Sequence, residues 1–132
     1  MYIGIKILIT LAAVCSLSSG SVSSSKLAVA TFREDFKTTS CFGDRDIGVA
    51  AAAVRKVFRK EMCGQHITFT CVGPPECKNK GEHRVMVVDE CPPKLCATSY
   101  DICISRFLFN LVADTANNPT RMVVNVTGPL YD

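Results

Sequence analysis

Arg84-Val85-Met86-Val87-Val88-Asp89-Glu90-Cys91-Pro92-Pro93-Lys94-Leu95-Cys96-Ala97-Thr98-Ser99-Tyr100-Asp101 is the stretch on which the fold turns. Val85 to Val88 form an apolar run of strand length, rich in β-branched residues, which predicts a strand in the middle of a small barrel. The run ends on a carboxylate, Asp89. Two prolines then lie between Cys91 and Cys96, cysteines near enough in sequence to close a small loop and stiffen the chain as it leaves the barrel. A second carboxylate, Asp101, follows at the start of an apolar segment that reads as a helix.

Outward from this stretch, 132 residues leave room for one domain, and the first of them read as an address rather than as fold. Lys6 precedes the apolar run Ile7 to Leu17, and mostly small residues follow from Ser18 to Ser25, the layout of a secretory signal peptide. The run is well short of the roughly 20 apolar residues of a bilayer span. Cleavage is expected between residues 20 and 25, with 26–132 forming the exported domain and no membrane span. Loss of residues 1–20 removes Lys6 and Cys15, leaving 14 basic residues, 12 acidic residues and seven cysteines. So small an excess of positive charge argues against nucleic acid as a partner. Seven cysteines in a small exported domain imply a disulfide framework with one thiol outside it. Six cysteines alone allow 15 pairings, and spacing does not choose among them.

Leu27 to Phe32 has strand character and is expected to open the barrel. Arg33 to Asp46 mixes charges, Thr, Ser and Gly around Cys41-Phe42-Gly43 and reads as a long loop tied down by its cysteine. From Val49 to Lys60 both a helix and an alanine-rich barrel wall fit; we expect a strand through Ala52 and a helical turn after it. Ile67 and Phe69 alternate with Thr68 and Thr70 in a half-buried strand ending at Cys71, and Gly73 to His83 is a surface loop. Ile104 to Ala113 carries Phe107, Leu108, Leu111 and Val112 at spacings of three and four, predicting a helix with those residues on its buried face. Asn117-Asn118-Pro119 ends it, and Met122 to Val126 returns as a strand.

Arg55, Lys56, Arg59 and Lys60 fall on one side if Val54 to Met62 is helical, with Phe58 among the apolar residues opposite, and form a candidate partner-binding surface. His66 and His83 stand at no finger-like spacing with cysteines, so neither a metal nor another cofactor is expected. Asn125-Val126-Thr127 is a glycosylation acceptor triplet, usable if Asn125 faces outward from its strand.

Several patterns, in this order, resemble one family: Ala30-Thr31-Phe32, Cys41-Phe42-Gly43, the alanine run from Ala50, Cys63-Gly64 with Cys71 after it, Val88-Asp89-x-Cys91-Pro92-Pro93, and Asp101 followed by Phe107. Together they are similar to the plant natriuretic peptides, secreted relatives of the expansin N-terminal domain, barwin and the family 45 endoglucanases. The resemblance covers essentially all of 26–132. It implies a mainly β fold, a six-stranded double-psi β-barrel with one or two short helices. It also implies the pairings Cys41–Cys63, Cys71–Cys77 and Cys91–Cys96, with Cys103 the odd thiol at a position where the family has a helix-capping serine. A thiol caps poorly, so some helix stability is expected to be missing unless Asp101 substitutes. Cys103 is then either a half-buried small residue in a monomer or the link in a disulfide-bonded dimer.

Asp101 matches the general acid of the family 45 enzymes, a carboxylate also kept in expansins that do not hydrolyse glycan. The position of the base is Asp35, counted from Thr31. Against hydrolysis, the tyrosine expected after that threonine is Arg33, and 26–132 contains no tryptophan and only Tyr100 and Tyr131 as tyrosines, few platforms for a sugar chain. Asp35, Asp89 and Asp101 therefore read as vestigial, with Asp89 and Asp101 expected to hold the barrel's loops and the helix entry through backbone amides. In the family, signalling is ascribed to a region corresponding to about Val49 to Cys71, where Phe58 replaces a tryptophan. The expected role is a secreted, non-enzymatic signalling protein of the extracellular space (apoplast) in water and solute homeostasis, engaging a cell-surface receptor. The alternatives are a module that binds or loosens wall glycan, including acidic polysaccharide, and, behind it, a weak endoglucanase.

Overall fold

The computed structural model describes Gly4 and residues 25–55 and 60–128. The expected signal peptide and its cleavage window, apart from Gly4 and Ser25, lie outside the described residues, as do Lys56, Phe58, Arg59 and Tyr131. Six strands are β1 (Lys26–Arg33), β2 (Ala51–Val54), β3 (His66–Cys71), β4 (Glu82–Glu90), β5 (Ile102–Ser105) and β6 (Arg121–Thr127). They close in the order β1-β5-β2-β4-β3-β6, β6 pairing antiparallel with β1. Closure gives every strand two neighbours and leaves no open edge. Two pairs, β1·β5 and β2·β4, are parallel, and the others are antiparallel. The fold is thus the mainly β, six-stranded, disulfide-stapled barrel implied by the resemblance, with one short helix.

Alternation builds the interior. Ile67, Phe69 and Cys71 on β3, Val85 and Val87 on β4, and Met122, Val124 and Val126 on β6 point inward, their neighbours outward. So narrow a barrel is filled by side chains, and Ala28, Ala30 and Ala52 make room for Phe69 and for Phe109 from the helix.

Between Ala52↔Val87 and Ala53↔Asp89 the β2–β4 register slips, so Val88 is an extra, bulged residue. The bulge turns Val88 into a second buried cluster outside the barrel wall, with Phe36, Ala51, Ala53, Cys91, Cys96 and Cys103. The 34–50 loop covers this cluster, and Cys41 N donates to Val88 O at 3.1 Å. Disulfides join Cys41–Cys63, Cys71–Cys77 and Cys91–Cys96, the pairing expected.

Three expectations need correction. The apolar segment after Asp101 is a strand before it is a helix: all four residues of β5 are buried between β1 and β2, and α1 spans Arg106–Val112. Ser105, last residue of β5, is also the helix N-cap, its Oγ accepting from Leu108 N at 3.2 Å. Asp101 therefore does not cap the helix, and Cys103 does not stand at the cap. The buried face of α1 is Leu108, Phe109 and Val112, whereas Phe107 is 62% and Leu111 49% exposed. Finally, the alanine strand runs on to Val54, and the turn after it is a 3-10 turn at Lys60–Met62.

Candidate functional site

Asp101 sits just before β5, 4% exposed. Its Oδ1 accepts from Val29 N at 2.9 Å and its Oδ2 from Thr98 N at 2.8 Å, so one carboxylate ties the end of the Cys91–Cys96 segment to β1. It also lines a cleft of about 460 Å³ with Thr31, Phe32, Lys94, Leu95 and Arg121. Among the described residues lining this cleft it is the one carboxylate. The Lys94 and Arg121 side chains have no hydrogen-bond or ion-pair partner among the described residues, leaving two exposed cations at an apolar-walled groove.

Asp35 lies elsewhere, in a hollow of about 490 Å³ within the 34–50 loop. Its Oδ1 accepts from Lys37 N at 3.2 Å, and its side chain is 54% exposed. Inverting hydrolysis needs an acid and a base about 6.5–9.5 Å apart across one sugar, facing the same cleft. Asp35 and Asp101 line different cavities.

Asp89 belongs to the loop's anchorage. Its Oδ1 accepts from Ser40 N at 3.0 Å and Glu90 N at 2.8 Å, and its Oδ2 pairs with Arg33 Nη1 at 2.8 Å. Burial pushes this carboxyl up, but the hydrogen bonds from Ser40, Arg33 and Glu90 together outweigh it and hold the group below the usual carboxylate range. Arg33 also donates through Nε to Asp35 O at 2.9 Å and lies over the Phe36 ring at 4.5 Å. One arginine, read from the sequence only as a missing tyrosine, thus pins β1, the loop and β4 together.

Of the expected partner surface, Arg55 donates to Ala97 O, tying the end of β2 to the Cys91–Cys96 segment, and Lys60 begins the 3-10 turn. Cys103 is 1% exposed and unpaired. Burial pushes its thiol up, opposed without reversal by the Thr31 hydroxyl and the Arg33 charge. A second chain's sulfur cannot reach it without displacing the 34–50 loop that roofs its cluster, which disfavours the Cys103-linked dimer. Asn125 faces outward from β6 and is half-buried. Among the described residues, no three His, Cys, Asp or Glu side chains converge to hold a metal ion, and no helix is long and apolar enough to cross a membrane.

Sequence reasoning missed Arg33, Lys94 and Arg121. Arg121 could have been found as a basic residue opening a predicted strand; for Arg33 and Lys94 no local signal exists, because their partners or neighbours are brought to them by the barrel. No protein-family model and no curated protein matches the chain.

Proposed function

We propose that the chain is a secreted, non-enzymatic signalling protein similar to the plant natriuretic peptides, acting in water and solute balance by contact with a cell-surface partner. The observation that carries the non-catalytic half is the placement of the carboxylates. Asp101 fastens two backbone amides, Asp89 is held by Arg33 and two more, and Asp35 lines a different cavity. Of these three, the acid and base positions that the resemblance implies, Asp101 and Asp35, line separate cavities, which supports the non-catalytic reading. The signalling half rests on the resemblance of the motifs, supported by a barrel with the disulfide pairing that the resemblance implies.

A second reading is favoured by one feature, the cleft beside Asp101 with Lys94 and Arg121, whose side chains have no partner among the described residues. Apolar walls and two cations suit a carboxylate-bearing polysaccharide bound without cleavage. Purified protein assayed for swelling of wall-free plant cells, co-sedimentation with pectin or cellulose, and reducing-sugar release separates the readings. Swelling alone is expected. Co-sedimentation lost in a Lys94→Ala/Arg121→Ala variant would favour the wall module. Sugar release abolished by Asp101→Asn, in a variant whose melting curve still reports a folded barrel, would sink the non-catalytic reading.

A further inference from the structure

Asn125 stands in the middle of β6, opposite Leu27 of β1 on one side and Thr70 of β3 on the other. Met122, Val124 and Val126 point into the core, so Asn125 and Thr127 share the outer face. Among the described residues the Asn125 carboxamide has no hydrogen-bond partner, yet it is not a buried orphan, since those are Gln65 Oε1 and His83 Nε2. Its amide atoms therefore meet solvent. Beside it Leu27 is 66% exposed, a large aliphatic side chain facing water from a strand hydrogen-bonded on both sides. Asn125-Val126-Thr127 has the acceptor sequence, whereas Asn118-Pro119-Thr120 is excluded by its proline.

We propose that Asn125 carries an N-linked glycan whose first sugar lies over Leu27 and covers the outer β1–β6 face. The inference rests on the export proposed above, because the donor, a lipid-diphosphate-linked oligosaccharide, belongs to the secretory path. In the transfer, Asn125 Nδ2 bonds to the anomeric carbon of the donor's first sugar. The bond from that carbon to the diphosphate oxygen breaks, the lipid diphosphate departs, and Nδ2 gives up one proton. The transferase needs a free extended segment, and β6 is paired on both sides in the finished barrel, so transfer precedes closure. Side chains directly opposite on paired strands stand with Cβ atoms about 4.5–5.5 Å apart, so the apolar face and acetyl group of the first sugar reach Leu27. The glycan covers Leu27, the large aliphatic side chain that the fold leaves exposed on this face.

The test is expression of the full chain in a eukaryotic secretory host, in parallel with the same protein behind a foreign leader of known efficiency. Intact mass is read before and after peptide N-glycosidase, and Leu27 is probed by hydroxyl-radical labelling. The wild type and Thr127→Ser are expected to lose a glycan mass on enzyme treatment, while Asn125→Gln and Thr127→Ala have none to lose. Leu27 labelling is expected to rise severalfold in Asn125→Gln relative to the glycosylated form. A protein secreted under its own leader with an unmodified 121–128 peptide overturns the proposal and leaves export standing. A protein glycosylated only behind the foreign leader does the reverse. Equal labelling of Leu27 with and without sugar overturns the placement of the glycan.

Discussion

Two buried clusters share the wall strand β2: Ala52 and Val54 face the barrel interior, while Ala51 and Ala53 face the cluster beneath the 34–50 loop. The interior is aliphatic and aromatic, and its strands are hydrogen-bonded on both sides. The outer cluster has small residues, one disulfide and a free thiol, and its roof is one loop fastened by Cys41–Cys63 and by the Arg33–Asp89 pair. Hydrophobic burial holds the first, and covalent and ionic ties hold the second. The second is therefore the region that redox conditions and acid can loosen while the barrel survives.

The largest effect belongs to the interior. Phe69 is fully buried, and Phe69→Ala should cost about 3–5 kcal/mol, the usual range for emptying a phenylalanine site. Phe36→Ala, at the edge of the outer cluster where Arg33 lies over the ring, should cost less. Urea melts of the two variants make the comparison, and equal losses would break it.

Next is the tie over the outer cluster. Cys41–Cys63 closes a separation of 22 residues, against 6 and 5 for the other two bridges. By chain entropy its loss should cost about 3 kcal/mol and loss of either short bridge about 2 kcal/mol. Cys103, shielded and held protonated in the native cluster, reports which region opens. In Cys41→Ala/Cys63→Ala it should be alkylated much faster than the barrel unfolds globally. Labelling no faster than global unfolding would mean that the two clusters open as one.

The barrel was legible where one face of a strand is wet. β3 and β6 alternate, and periodicity separates their inward residues from their outward ones; β4 reads only as an apolar run, because its bulge buries Val88 on the opposite side from Val85 and Val87. The barrel was illegible where both faces are dry. β5 reads Ile-Cys-Ile-Ser with every residue buried, so it merges with the helix behind it, and only Ser105, a good N-cap, marks the boundary. The helix phase went wrong for a related reason: with Phe107, Leu108, Phe109, Leu111 and Val112 nearly continuous, spacing cannot say which aromatic faces in. Of the candidate site, the bonds of Asp89 and Asp101 to backbone amides are legible in the sequence, but Asp101 reads there as a helix entry where the chain enters β5. The role of Arg33 is not legible, because its partner lies 56 residues away and meets it only across the closed barrel.

Asp101→Asn tests the interior's border. Its two oxygens face two N–H donors, and asparagine keeps one acceptor and sets an NH₂ against the other donor. A buried amide left unpaired predicts a loss of about 1–3 kcal/mol in denaturant melts, with the barrel still formed. A neutral result would remove Asp101 from the fold's support and reopen a role in the cleft.

The smallest effect is the ionic tie, and Asp89→Asn isolates it. Asparagine Oδ1 can still accept from Ser40 N and Glu90 N, whereas its NH₂ replaces the oxygen that faces Arg33. With both side chains partly solvated, the pair should be worth on the order of 1 kcal/mol. Its pH dependence has a definite sign. The folded carboxyl titrates below its unfolded value of about 3.9, so the contribution is fully present above that value and is lost as pH falls through the lower, folded one. The stability gap between wild type and Asp89→Asn should thus be flat through neutral and mildly acid pH and close only in stronger acid. A gap that closed at mildly acid pH would require a carboxyl titrating above its ordinary value, which three donors converging on Asp89 oppose, and the loop would then need a different anchor.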